Sequence, residues 1–192
     1  MCNVKENRSM GSCIFAEDNK RVTKSLDIVT DRVVKYMIAK GITVSAAESC
    51  TGGLLSEKIT SVSGASACYH GGVCSYTEEV KMKVLGVKKE TLEKYTVYSA
   101  ETASEMSRGV RELMQTDCSV GITGIAGPSG GTEDKPVGTV YVSVRYKDRE
   151  IVRDLRLYDK YEKTDRELIR TASAMCALEM LEELITDGGE AR

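Results

Sequence analysis

At Glu48 the hydrophobic pattern of this chain changes period. Ile42 to Ala47 is a short apolar run bounded by Gly41, whereas Leu54, Leu55, Lys58 and Ile59 recur at helical spacing. Between them, Glu48-Ser49-Cys50-Thr51-Gly52-Gly53 must turn a strand into a glycine-started helix. A helix start leaves N–H groups unpaired and carries partial positive charge, which suits a phosphate or a developing oxyanion. The paired glycines let ligand atoms approach the backbone. Ser49 on this turn is a candidate nucleophile, and the adjacent Cys50 is its rival, although a buried thiol is the more ordinary fate of a free cysteine.

The same alternation of short apolar strands and amphipathic helices runs through the rest of the chain. Leu26, Val29, Val33, Met37 and Ile38 predict a helix over 23–40, stopped by Gly41. Residues 67–76 read as a strand with Tyr76 at its end. Glu78–Leu85, closed by Gly86, reads as a helix, and another is expected from about Ala100 to Gln115 with Ser99 as N-cap. Cys118–Thr123 follows as a buried strand. Val137–Tyr146 and Glu150–Leu157 form an expected antiparallel hairpin, and Thr164 with Glu167 has capping-box spacing ahead of the C-terminal helix. This order predicts a single-domain α/β/α sandwich with a mixed, largely parallel sheet. Residues 1–22, without sustained period, are expected to be a flexible extension outside a domain spanning 23–187.

With 192 residues and 41% hydrophobic content, one core can form and little remains for a second. The formal charge of -2 gives no sign of a basic nucleic-acid surface. No apolar run is long enough to span a bilayer, so a cytoplasmic location is expected. The seven cysteines include no C-x-x-C pair, which supports neither zinc nor a redox motif.

In open α/β sheets ligands gather at the carboxyl ends of strands. The Ser49 turn, Tyr76 and the loop after Thr123 all occupy such positions. His70, the chain's single histidine, falls inside a predicted strand, so a Ser-His-Asp triad is disfavoured. Lysine replaces histidine as the base in Ser-Lys hydrolases, and Lys81, one helical turn beyond Tyr76, is the candidate. An unshifted lysine is neutral in only about one molecule in 2500 at pH 7, so this role demands desolvation; an exposed helix lysine is the alternative. The glycine-rich stretch from Thr123 to Pro136 has neither P-loop nor G-x-G-x-x-G spacing, but it is compatible with an N–H cradle for an anion. Arg166 and Arg170, four apart, share a helix face suited to a phosphate or simply to solvent.

Three segments together, Ala47-Glu48-Ser49-Cys50-Thr51-Gly52-Gly53, Gly71-Gly72 to Tyr76 with Lys81, and Thr123-Gly124-Ile125-Ala126-Gly127-Pro128 through Lys135-Pro136-Val137-Gly138-Thr139-Val140, resemble the CinA C-terminal domain family over about Leu26 to Leu184. The resemblance implies a nicotinamide-nucleotide amidase of pyridine-nucleotide recycling, converting nicotinamide mononucleotide and water to nicotinate mononucleotide and ammonia. It places catalysis on Ser49 and Lys81 with Tyr76, and the oxyanion site on the Thr51–Gly53 turn. Substrate contacts are expected from Glu48, Thr51, Gly52, Gly53, Thr123, Gly124, Gly127 and Arg170. No cofactor or metal is expected. Partners are expected to be the nucleotide substrate and further copies of the chain in a homo-oligomer, with no nucleic acid and no membrane.

The chain resembles the stand-alone form of the family rather than the form fused to a larger N-terminal domain. It departs from the pattern at Tyr76-Thr77-Glu78-Glu79-Val80-Lys81, where the family often reads Tyr-Ser-Asn-Glu-x-Lys, and the charge of Glu78 acts to raise the lysine pKa. It also lacks the family's Gly-Asp-Arg turn before Arg166. The alternative function is therefore a catalytically weak or inactive nucleotide-binding or regulatory module.

Overall fold

The computed structural model describes residues 7–161 and 165–187, with side chains from Asp18 onward. Five strands form one sheet in the order β2-β1-β3-β4-β5, comprising β1 (Val44–Glu48), β2 (Tyr69–Cys74), β3 (Cys118–Gly124), β4 (Val140–Tyr146) and β5 (Arg149–Asp154). β1 pairs in parallel with both β2 and β3, and β3, β4 and β5 continue antiparallel. The expected mixed α/β sandwich is thus what forms, with its parallel part around β1.

Seven helices flank the sheet among the described residues. α1 (Asn7–Lys40), α2 (Leu54–Ser61) and α7 (Arg166–Thr186) pack together on one face, while α5 (Ala100–Met114) covers the other, supported by α3 (Glu78–Leu85) and α4 (Lys89–Tyr95). α6 (Leu157–Lys160) is a single turn after β5. Strand alternation divides the core accordingly. Ala46, Val120 and Ile122 join the larger cluster with Leu26, Val33, Leu178 and Leu181, whereas Ala47 joins Leu85, Met106 and Val110 on the α5 side. Gly121 lets α5 approach the sheet closely, because a Cβ there would lie 2.4 Å from the Ala103 carbonyl oxygen.

Local signals set most boundaries. Ser99 caps α5 by accepting from the Thr102 N–H, Thr77 caps α3 by accepting from Val80, and Gly86 ends α3 at φ 65°. Four expectations are revised. The first helix begins at Asn7 rather than at residue 23, and Val22 is buried in the core, so the expected extension over 1–22 holds helix from residue 7 on, and residues 1–6 lie outside the described residues. The strand expected over 67–76 is shorter, because Ala65–Ala67 forms a 3-10 turn. The strand expected to reach Leu157 ends at Asp154, and Leu157 instead starts α6 as a core residue. The N-cap of α7 is Asp165, which accepts from the Leu168 N–H; Thr164 lies outside the described residues.

The chain runs outward from β1 to β2 through α2, then returns past β1 to β3 through α3, α4 and α5 on the opposite face. Strand order therefore reverses at β1. β1 leads into α2 on one face and β2 into α3 on the other, and the reversal leaves a crevice at the carboxyl ends of β1 and β3.

Candidate active site

Ser49 immediately follows β1, and its N–H donates to the Ile122 carbonyl of β3 at 3.0 Å, which fixes the turn to the neighbouring strand. Lys81 enters the same crevice from α3. Its Nζ lies 3.0 Å from Ser49 Oγ and also donates to the Ser75 carbonyl. Ser75 is held in turn by its N–H bond to the Glu48 carbonyl at 2.8 Å. The side chain of Lys81 is 1% exposed, among the largest fully buried groups of the molecule. Burial lowers its pKa to about 8 against the opposing influence of Cys50 and Glu78. Roughly one molecule in ten then carries the neutral amine at pH 7. The exposed-lysine alternative fails, and the carboxylate at Glu78 does not cancel the downward shift.

Cys50 takes the opposite course. It is buried, and loss of solvent pushes its thiol up to about 12. A thiol held protonated at neutral pH is a poor nucleophile. His70 lies at the sheet edge, 3.3 Å from the Met114 carbonyl oxygen, far from any triad arrangement with Ser49.

A cavity of about 380 Å³ opens over the dyad, lined by Ser49, Cys50, Tyr76, Glu78, Lys81, Tyr98, the Gly124–Gly127 segment and Arg166, among others. The loop after β3 is pinned across it. Lys135 Nζ donates to Thr96 Oγ1 and the Tyr98 carbonyl, both at 2.8 Å, and Arg166 donates to the Gly127 carbonyl at 3.0 Å. The Gly127-Pro128 bond within this loop is cis.

Several expected contacts sit elsewhere. The Glu48 carboxylate is buried as the cap of α2, accepting from the N–H groups of Gly53, Leu55 and Ser56 and from the Ser56 hydroxyl at 2.6–3.1 Å. Thr51 is fully buried, and its carbonyl accepts two bonds from the Arg170 guanidinium, so Arg170 braces the turn instead of lining the cavity. The Gly52 N–H is spent on the Ser49 carbonyl and the Gly53 N–H on Glu48, so of the Thr51–Gly53 turn these bonds leave the Thr51 N–H for an oxyanion. Cys50, next after the nucleophile, lines the cavity. Thr123 donates to the Val97 carbonyl at 2.6 Å and so positions the loop before α5, while Gly124 and Gly127 do line the cavity. Tyr76 is exposed and bonded to Arg166 at 3.1 Å, not to the dyad.

Val97 and Tyr98 also line the cavity, which the sequence does not predict, and Ser129 joins it from the glycine-rich stretch. The Ser99 cap fixes where α5 begins, but not that the two residues before it face the crevice. Which arginine enters the site depends on the rotation of α7, to which a four-residue spacing is blind.

Fold and site together define a class: a three-layer α/β domain with a buried serine–lysine pair in a crevice at the carboxyl ends of parallel strands. The chain belongs to the CinA family, since residues 26–185 match the model of the CinA C-terminal domain. It is 44% identical over 158 residues to a CinA-like protein of Thermotoga neapolitana, an alignment covering 82% of this chain and 37% of the relative. A CinA-like protein of Kosmotoga olearia is 39% identical over 185 residues, covering 92% and 44%. The chain thus spans about two fifths of these curated relatives' length. The crystal structure of the competence/damage inducible protein CihA from Agrobacterium tumefaciens superposes with a TM-score of 0.80 at 35% identity, covering 84% of this chain and 96% of that one. Among the described residues no helix is long and apolar enough to cross a membrane.

Proposed function

We propose that this chain is an amidohydrolase that converts nicotinamide mononucleotide and water to nicotinate mononucleotide and ammonia, with Ser49 as nucleophile and Lys81 as the proton-transferring base. The observation that carries the reading is the 3.0 Å approach of a fully buried lysine to Ser49 Oγ at the floor of a ligand-sized cavity.

Neutral Lys81 takes the hydroxyl proton as Ser49 Oγ bonds to the carboxamide carbon. The carbonyl electron pair moves to oxygen, where a backbone N–H of the turn after Ser49 donates. Collapse breaks the C–N bond, and the Lys81 ammonium returns its proton to the departing nitrogen, giving ammonia. Water then adds to the acyl ester with its proton passing to Lys81, the C–Oγ bond breaks, and Ser49 recovers its proton. The Ser75 carbonyl stabilises Lys81 whenever it is charged and keeps Nζ aimed at the serine.

The cavity volume lies in the range of small-molecule sites, and Arg166 with the Gly124–Gly127 segment offers a cation and backbone donors for the phosphate. Glu78 argues for a weakly active binding module, but the lowered pKa of Lys81 favours turnover. Nicotinamide nucleotide chemistry and homo-oligomer formation rest on the family resemblance. The test is to incubate purified protein with nicotinamide mononucleotide under chelator and quantify both products. Equimolar ammonia and nicotinate mononucleotide support the proposal, and their absence at any pH from 7 to 9 rejects it.

A further inference from the structure

Glu78 is the one carboxylate among the residues lining the cavity, which also holds the cations Lys81 and Arg166. Arg166 is occupied by the Gly127 carbonyl and the Tyr76 hydroxyl, and the neighbouring Glu79 is paired with Lys83 at 2.6 Å. Glu78 has no such partner among the described residues. It stands three positions before Lys81 in α3, so both side chains rise from one helix face. From there its charge acts to raise the Lys81 pKa, in keeping with its place on the cavity wall.

The reaction proposed above changes the charge at the carbon Ser49 attacks. A neutral carboxamide becomes a carboxylate, while the cationic pyridine ring and the phosphate are common to substrate and product. After turnover, a protonated Lys81 faces that new carboxylate at the floor of a half-closed cavity, an arrangement that would hold the product. We propose that Glu78 is a specificity-determining residue that rejects a carboxylate at the reacting position, so that the cavity discriminates between amide substrate and acid product. The proposal rests on the amidase reading.

Because ring and phosphate are shared, their interactions with Glu78 cancel in the ratio of the two affinities. What remains is the repulsion between Glu78 and one carboxylate across a partly hydrated cavity, worth roughly threefold to tenfold in binding and weakened by salt.

The experiment measures equilibrium binding of nicotinamide mononucleotide and nicotinate mononucleotide to Ser49→Ala, in which chemistry is blocked, and to Ser49→Ala combined with Glu78→Gln or with Glu78→Asp, at low and high ionic strength. Glu78→Gln is expected to tighten the acid relative to the amide by roughly threefold to tenfold at low salt, with the gap closing at high salt. Glu78→Asp is expected to keep the parent ratio. In otherwise wild-type protein, Glu78→Gln should also strengthen product inhibition by the same factor. A ratio unchanged by Glu78→Gln, or changed independently of salt, overturns the proposal while leaving the amidase reading intact. Wild-type protein that releases no ammonia overturns the amidase reading and this proposal with it.

Discussion

Lys81 Nζ sits 3.0 Å from Ser49 Oγ, 32 residues away in sequence, and the pair is buried where strand order reverses. β1 delivers the serine, α3 delivers the lysine, and the Ser75 carbonyl between them fixes the lysine's aim. Ser49→Ala and Lys81→Ala are each expected to lower kcat by on the order of 10³ or more, since the two act as one unit. The double variant should be little worse than either single one. Lys81→Arg should be as inactive as Lys81→Ala, because a guanidinium does not give up its proton in this range.

The pH profile follows from the lowered lysine pKa. Only the neutral amine accepts the serine proton, so kcat/KM should rise with unit slope through pH 7 and level off above about 8. Glu78 acts to raise that pKa, so Glu78→Gln should move the inflection to lower pH and increase the rate at pH 7. A flat profile between pH 6.5 and 9 would remove Lys81 from the role of base.

Stability should move against activity at the same residue. The folded chain releases the Lys81 proton near pH 8, while the unfolded chain holds it to about 10.5, so between these values the unfolded state binds more protons and stability rises with pH. Below pH 8 the buried ammonium costs about 3 kcal/mol. Lys81→Met should therefore be inactive yet more heat-stable than wild type at pH 7, with the advantage shrinking toward pH 10. A lower melting temperature for Lys81→Met at pH 7 would contradict this.

Glu48 shows the reverse pattern. Its carboxylate satisfies three backbone N–H groups at the start of α2 and one hydroxyl, all away from the cavity. Glu48→Ala leaves those donors unpaired inside the protein and is expected to cost about 2–4 kcal/mol. Denaturant unfolding measures this directly. Because Ser49 is the next residue, activity should fall along with stability.

The cysteine beside the nucleophile should be dispensable. With its thiol pushed up to about 12 and shielded from solvent, Cys50 is expected to resist a disulfide reagent at pH 7.5 in the native state, and Cys50→Ala should retain most of the activity. Loss of activity in Cys50→Ala without loss of stability would make the thiol, not the hydroxyl, the reacting group.

The parts of the molecule legible in its sequence are those governed by local chemistry. The Ser99 cap, the stop at Gly86 and the apolar run of β3 each depend on a few neighbouring residues, and each stands where the pattern places it. α4 leaves no helical stripe to read, since only Thr91 and Leu92 of its seven residues are buried. The burial of Lys81 has no local signal either. A lysine on a short helix reads as solvated until the Ser75 carbonyl and the loop after β3 are brought around it by distant parts of the chain. Glu48 carried a usable signal, an acidic residue ahead of a glycine-started helix, and the structure resolves it as a helix cap. For Arg166 and Arg170 no local rule decides between them, since the turn of α7 that sends one into the cavity and the other to the Thr51 carbonyl is set by packing against α1 and the sheet.

The most direct measurement is ammonia release from nicotinamide mononucleotide at pH 8, compared among wild type, Ser49→Ala, Lys81→Ala and Cys50→Ala at equal concentration and confirmed fold. The account predicts turnover in wild type and Cys50→Ala and loss on the order of 10³ or more in the other two. Turnover that survives in Ser49→Ala or Lys81→Ala would contradict the serine–lysine mechanism.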